Sequence, residues 1–214
     1  MGSVFSPDSK LIKLLGTVGD LLVLNVMYTV SCIPVVTIGA ANTALYSVIF
    51  KLNTQREGSI WKDYWRSFRE NFKQATGIWL ILLGLFVVAA VDIYAGNAYG
   101  GFFLTVRPLF WLILVMTGLT YSMVFPTLSC FENTIWGTLK NGLLLSIANL
   151  PKSILLTVLH ALPMALILWD LMTFLEWGAL FATLYYAVVA GLGRVLLEKT
   201  YQRILETQEE TAEA

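Results

Sequence analysis

The chain has 214 residues, of which 57% are hydrophobic and 13% are charged, and its mean hydropathy is +0.71. This composition excludes an ordinary soluble domain and predicts an integral membrane protein. The formal net charge is zero, so there is no basic field of the kind that binds nucleic acid. Spans and short connections use up nearly the whole length, so we predict a single all-α membrane helix bundle over residues 1–214.

Apolar runs long enough to cross a bilayer recur along the chain. A hydrocarbon core of about 30 Å needs about 20 apolar residues in a helix. Five runs reach this length: Leu14 to Val36, Thr76 to Tyr94, Pro108 to Thr127, Ile154 to Met172 and Leu175 to Leu196. A sixth run, Ile38 to Leu52, would extend only about 22 Å as a helix.

The distribution of lysine and arginine predicts the orientation, because cytoplasmic loops are enriched in both. The connection after the short run carries most of the basic residues and is therefore predicted to be cytoplasmic: Lys51, Arg56, Lys62, Arg66, Arg69 and Lys73. If Ile38 to Leu52 crosses fully, there are six spans, and the terminal tails 1–13 and 198–214 are both cytoplasmic. If it enters and returns, there are five spans, and Lys10 and Lys13 lie outside. The six-span multi-pass topology in the cell membrane is our favoured interpretation.

Small residues in the first two predicted helices suggest close packing between them. Small side chains let helix backbones approach each other inside a membrane. The residues concerned are Gly16, Gly19, Gly39, Ala40 and Ala41.

Two segments on the predicted cytoplasmic side are amphipathic. Residues 59–72, "SIWKDYWRSFRENF", place aromatic residues at helical spacing beside basic ones, which predicts an interfacial helix at an anionic membrane surface. Residues 131–150, "FENTIWGTLKNGLLLSIANL", have the equivalent place after a later span. Either segment is alternatively a docking surface for a partner, with these candidate residues: Trp61, Trp65, Phe68, Phe72, Glu132 and Trp136.

Polar residues within the apolar runs are the candidates for an intramembrane site, because burying polar groups in lipid is costly. These residues are Asp20, Asn25, Asn42 and His160. They would line a pathway, or they form hydrogen bonds that fix helix packing.

Charged and aromatic residues also collect at the predicted outer ends of the spans, where they form a solvated rim with an aromatic belt or, alternatively, a sugar site. They are Asp92, Arg107, Asp170, Glu176, Trp111, Trp169 and Trp177.

Motifs for enzyme chemistry are absent from the sequence. There is no phosphate-binding glycine loop, no His-Glu-x-x-His metal motif and no Gly-x-Ser-x-Gly elbow. Cys32 and Cys130 form neither a metal pattern nor a disulfide framework. We therefore expect no catalytic activity, no metal and no cofactor.

The first 80 residues carry a resemblance to a known family. Gly19 to Leu52, "GDLLVLNVMYTVSCIPVVTIGAANTALYSVIFKL", and Arg56 to Leu80, "REGSIWKDYWRSFRENFKQATGIWL", resemble the YesL family of small bacterial membrane proteins of unknown function. Its members are encoded in Gram-positive bacteria among carbohydrate-utilisation genes, beside oligosaccharide ABC importers. The resemblance implies a role in glycan uptake, with importer permease subunits and a solute-binding protein as partners.

A weaker similarity concerns the coupling motif of sugar-importer permeases. Glu132, Leu150 and Pro151 keep the outer spacing of that motif, but Asn133 and Thr134 replace its alanines. Two hypotheses result: an accessory subunit of a carbohydrate ABC importer, or a small stand-alone transporter with a polar site near the membrane midplane.

Overall fold

The structure is a computed structural model that describes residues 10–52, 59–169 and 185–213. Its regular secondary structure is helical throughout the described residues, which confirms the all-α class. The elements are α1 (Lys10–Ser31), a 3-10 turn (Val35–Thr37), α2 (Ile38–Lys51), α3 (Ile60–Tyr99), α4 (Phe102–Cys130), α5 (Ile135–Ala148), α6 (Leu150–Trp169) and α7 (Tyr186–Glu213).

The apolar helices have the character of a membrane protein. Within the described residues, α3 and α4 are each long and apolar enough to cross a bilayer. A third candidate is the pair of α5 and the first part of α6, which is bent by 110° at the break between the two helices. The last predicted run, Leu175 to Leu196, begins outside the described residues.

Helix α2 is enclosed by the rest of the bundle. Eleven of its residues, from Gly39 to Ile49, are buried without interruption. A helix that is buried on every side has protein all around it, and α2 packs against α1, α3, α4 and α7. The short run Ile38 to Leu52, for which the sequence left two topologies open, therefore forms the central helix of the bundle.

The closest approach of α2 is to α3. A Cβ atom added at Gly39 would collide with the carbonyl oxygen of Ala75 and lie 2.7 Å from Cβ of Trp79. By contrast, a Cβ added at Gly16 or Gly19 meets nothing within 4 Å. The prediction that these glycines bring α1 and α2 together is therefore corrected: Gly39 serves the contact between α2 and α3.

The N-terminal end of α2 lies near the C-terminal part of α4. Helices α3 and α4 are antiparallel: Gln74 donates to the carbonyl of Asn133 at 2.6 Å, whereas Gly96 lies beside Phe103 near the start of α4. Gly39 touches Ala75, the residue after Gln74. The start of α2 is thus close to the point where α4 ends.

The other end of α2 reaches the same end of the bundle. The ring of Phe50 lies 5.8 Å from that of Tyr201. The Tyr201 hydroxyl is 3.2 Å from the Thr127 hydroxyl, and its ring is 5.5 Å from that of Phe131. Residues near both ends of α2 thus lie beside the C-terminal third of α4: Asn42 bonds to Tyr121 at 2.9 Å, and Phe50 shares Tyr201 as a neighbour with Thr127.

The predicted interfacial segment 59–72 is the first part of α3 and is not a separate helix. The 40 residues of α3 make about 60 Å of helix along its axis, about twice the thickness of the hydrocarbon core. Tyr64 and Ser67 are buried, and Phe68 packs against the hydrophobic core that contains α2. One side of this segment therefore packs against protein.

The second predicted amphipathic segment contains α5. The Thr134 side chain caps this helix by accepting a hydrogen bond from the Gly137 amide at 3.1 Å. A Cβ added at Gly142 would lie 3.1 Å from Cα of Val124. Small residues therefore hold α5 close to the C-terminal half of α4.

Candidate functional site

The four predicted intramembrane polar residues do not form one site. Asp20 is exposed on α1. Asn25 is fully buried, and its Oδ1 accepts a hydrogen bond from the Ala187 amide at 2.9 Å. Asn25 therefore ties α1 to Ala187 of α7, which is 162 residues away in sequence.

Asn42 and His160 meet at a third residue, Tyr121. Asn42 Nδ2 donates to the Tyr121 hydroxyl at 2.9 Å and to the Ile38 carbonyl at 3.2 Å. The imidazole ring of His160 packs edge-on against the Tyr121 ring, with centroids 5.5 Å apart. His160 Nδ1 lies 2.7 Å from the Leu156 carbonyl, so this nitrogen carries the proton.

The cluster of Asn42, Tyr121 and His160 joins α2, α4 and α6. Its polar groups bond to each other or to the backbone, which fits the interpretation that they fix helix packing. Tyr121 was not predicted from the sequence, because a lone tyrosine in an apolar run gives no signal of a buried partner.

The predicted docking residues on α3 form a ladder of rings. Trp61 and Trp65 are 6.0 Å apart, Trp65 and Phe68 are 5.3 Å apart, and Phe68 and Phe72 are 5.6 Å apart. Trp65 and Phe68 are half-buried against the core, whereas Trp61 and Phe72 at the two ends are exposed. Only the ends of the ladder are therefore free for a large contact.

The predicted docking residues around α5 are both exposed. Glu132 lies in the connection before α5, and Trp136 in its first turn is 73% exposed. Leu144 and Ile147 continue the exposed side of α5 at 53% and 47%. Leu144 and Ile147 were not predicted from the sequence, although the small residues at successive turns of α5 indicate which side packs.

The buried side of α5 consists of small and polar residues, namely Thr138, Gly142 and Ser146. Beside the exposed side is a depression of about 300 Å³ between α4, α5 and α7, with Phe131, Asn141 and Ile204 in its walls. Helix α5 thus buries its small residues and packs Ile135, Leu139 and Leu145 partly against the core, while Trp136, Leu144 and Ile147 are exposed.

The predicted outer rim is only partly described. Arg107 donates to Asn97 at 2.8 Å, and Trp111 is 46% exposed. Asp92, in contrast, is buried, so the expectation that it belongs to a solvated rim is corrected. Trp169 is the last residue of α6. Asp170, Glu176 and Trp177 lie outside the described residues.

Cys32 and Cys130 are free thiols. Within residues 10–52, 59–169 and 185–213, no three His, Cys, Asp or Glu side chains are grouped so as to hold a metal ion.

Part of the chain matches the model of a known protein family. Residues 21–93, about a third of the chain, match the model of a family described as "Protein of unknown function, DUF624". No curated protein and no solved structure gives a significant match. The matched residues run from α1 through α2 into α3, and overlap the region that carries the YesL resemblance. This part of the chain is thus similar to an uncharacterised domain, and the match assigns it no site.

Proposed function

We propose that this protein is a non-catalytic, membrane-integral accessory subunit of a carbohydrate ABC importer. The observation that carries the proposal is the exposed apolar side of α5, beginning at Trp136. Large aromatic side chains are favoured anchors at the centres of protein interfaces. The glycan-uptake role implied by the YesL resemblance suggests that the partner is an importer permease.

The docking surface consists of the α5 residues Trp136, Lys140, Leu144 and Ile147 with Glu132 before them. The four α5 residues follow each other at intervals of three or four, so they lie on one side of the helix. All five are exposed. An apolar groove with an acidic rim facing Lys140 would complement this surface.

The orientation that accompanies this proposal is the five-span alternative. Since the basic connection after α2 is predicted to be cytoplasmic, both ends of α2 and the start of α5 lie on the cytoplasmic side. The carbonyl of Ser31, the last residue of α1, accepts a hydrogen bond from Thr37 just before α2. Helix α1 therefore ends on that side too, and Lys10 at its start lies outside.

A second candidate function rests on the cluster of Asn42, Tyr121 and His160. It joins three helices in the interior, where a small stand-alone transporter would hold its substrate. We rank this function second because the polar groups of the cluster already bond within the chain.

The test is affinity purification of the tagged protein from its native membrane in mild detergent, with quantitative mass spectrometry of bound proteins. We expect permease subunits and a solute-binding protein at stoichiometric amounts. The double variant Trp136→Ala with Ile147→Ala should lose at least about tenfold of them, since truncating hot-spot residues costs about 2 kcal/mol or more. Trp111→Ala, which removes an exposed tryptophan from α4 at the other end of the bundle, is the matched control.

Recovery of the wild-type chain alone, from cells in which the importer is expressed, would contradict the accessory role. Sugar flux in proteoliposomes would then test the transporter. Flux that Tyr121→Phe abolishes would support that second function.

A further inference from the structure

Four basic residues form a stripe along the first part of α3. Lys62, Arg66, Arg69 and Lys73 are all exposed. Their spacings of four, three and four residues place them within a narrow arc of the helix, over a length of about 16 Å. Asp63 pairs with Arg66 at 2.9 Å, so three of the four cations have no described carboxylate partner.

The aromatic ladder lies beside this stripe. Its members, Trp61, Trp65, Phe68 and Phe72, repeat the same spacings one position earlier, so they form a second stripe about 100° around the helix. Two open depressions of about 470 and 480 Å³ lie between the stripes, and both are bordered by Arg69 and Glu70. Cationic and aromatic side chains thus line the same two surface depressions.

The position of the stripe along α3 identifies what it meets. Helix α3 continues without a break from Lys73 into the apolar run that starts at Thr76, a rise of about 5 Å. The phosphate groups of a phospholipid leaflet lie just outside its hydrocarbon core. Tryptophan is favoured at that level, and basic residues bind anionic headgroups there.

We propose that this stripe binds the headgroups of anionic phospholipids in the cytoplasmic leaflet. Arg69 and Lys73, the two cations of the stripe nearest the apolar run, contact the phosphate groups, while Phe72 lies at the boundary with the acyl chains. The proposal does not depend on the importer. An acidic segment of a partner protein is the competing occupant, and proximity to the apolar run favours lipid.

The experiment is native mass spectrometry of the full chain in neutral detergent with equal amounts of phosphatidylglycerol and phosphatidylcholine. We expect the wild type to retain phosphatidylglycerol preferentially. Arg69→Gln with Lys73→Gln should reduce that preference about 25-fold, or about fivefold for each charge removed. Lys199→Gln with Arg203→Gln is the matched control: it also removes one lysine and one arginine four residues apart, both exposed on α7. Its preference should equal that of the wild type.

Equal retention of the two lipids by the wild type, or an equal loss in the two paired variants, would overturn the proposal. Release of a bound acidic protein by Arg69→Gln with Lys73→Gln, without a change in lipid, would identify the competing occupant. If Arg69→Gln with Lys73→Gln does not fold, the salt dependence of the wild type tests the proposal instead. A preference of the wild type for phosphatidylglycerol that persists at about 1 M salt, where such contacts are screened, would also overturn the proposal.

Discussion

The contact at Gly39 allows a sharp test of how α2 is held. In Gly39→Ala, the new methyl group would overlap the Ala75 carbonyl oxygen and lie 2.7 Å from Cβ of Trp79. The carbonyl belongs to the backbone of α3 and cannot turn away as a flexible side chain can. The helices must therefore separate locally, and overpacking of this kind costs about 1–3 kcal/mol.

Separation of α2 and α3 also affects a hydrogen bond. Trp79 Nε1 donates to the Val35 carbonyl at 2.7 Å, just before α2, and weakening this bond adds about 1 kcal/mol. The total of about 2–4 kcal/mol corresponds to a fall of about 4–16 °C in the unfolding temperature at this chain length. Fluorescence-detected thermal unfolding in mild detergent measures it.

Gly19→Ala is the control for Gly39→Ala, because its methyl group meets nothing within 4 Å. Alanine is favoured over glycine within a helix by about 0.5–1 kcal/mol, so this variant should unfold at the same temperature as the wild type or slightly higher. If Gly39→Ala unfolds no earlier than Gly19→Ala, α2 is not held by close contact with α3.

Two further predictions concern the bond between Asn25 and α7 and the orientation of α1. Asn25→Ala leaves the Ala187 amide without this acceptor in a buried position, which should destabilise the protein by about 1–3 kcal/mol. Asp20→Asn, at an exposed position on the same helix, should change nothing, and equal thermal unfolding of the two variants would show that the bond does not stabilise the fold. For the orientation, single cysteines are placed by Lys13→Cys or Arg203→Cys in a chain whose Cys32 and Cys130 are replaced by alanine. A membrane-impermeant maleimide should label the cysteine of Lys13→Cys in intact cells and should not label that of Arg203→Cys. Protection of both cysteines until the cells are opened would instead support the six-span topology.

The sequence predicted where helices form better than it predicted whether lipid or protein surrounds each helix. The run Pro108 to Thr127 lies within α4, and the run Ile38 to Leu52 matches α2 closely in length. Hydropathy does not distinguish an apolar helix surrounded by lipid from one surrounded by protein, so the central position of α2 had no signal. The start of α3 was predicted as a separate interfacial helix over residues 59–72, ahead of the run that begins at Thr76, although the residues between the two are compatible with a continuous helix.

The candidate site shows a different limit of sequence reasoning. Asn25 and Asn42 were singled out as polar residues in apolar runs, but their partners Ala187 and Tyr121 are distant in sequence. Such pairings depend on how the helices pack, and no local pattern encodes them. The exposed apolar side of α5 could have been found, since the large residues at intervals of three or four alternate with small ones on the opposite side.

Several buried polar groups bond α2 to the helices around it and so hold it in place. Asn42 bonds α2 to Tyr121 of α4, and buried Arg194 of α7 donates to the Ile49 carbonyl at 2.9 Å. A cation at the C-terminal turn of a helix is also stabilised by the helix dipole. The Trp79 bond to Val35 secures the other end.

A transport site needs polar groups that can exchange their partners for a substrate. Asn42, Arg194 and Trp79 instead bind a neighbouring side chain or the backbone of α2 and of the turn before it, so releasing them would loosen a helix that is buried on every side. Buried polar groups that lose their partners cost about 1–3 kcal/mol each, and several would have to open together for a substrate to pass. This is the physical reason to seek the function of this protein on its exposed surfaces, where Trp136 of α5 and the basic stripe of α3 are available to partners without any change in the core.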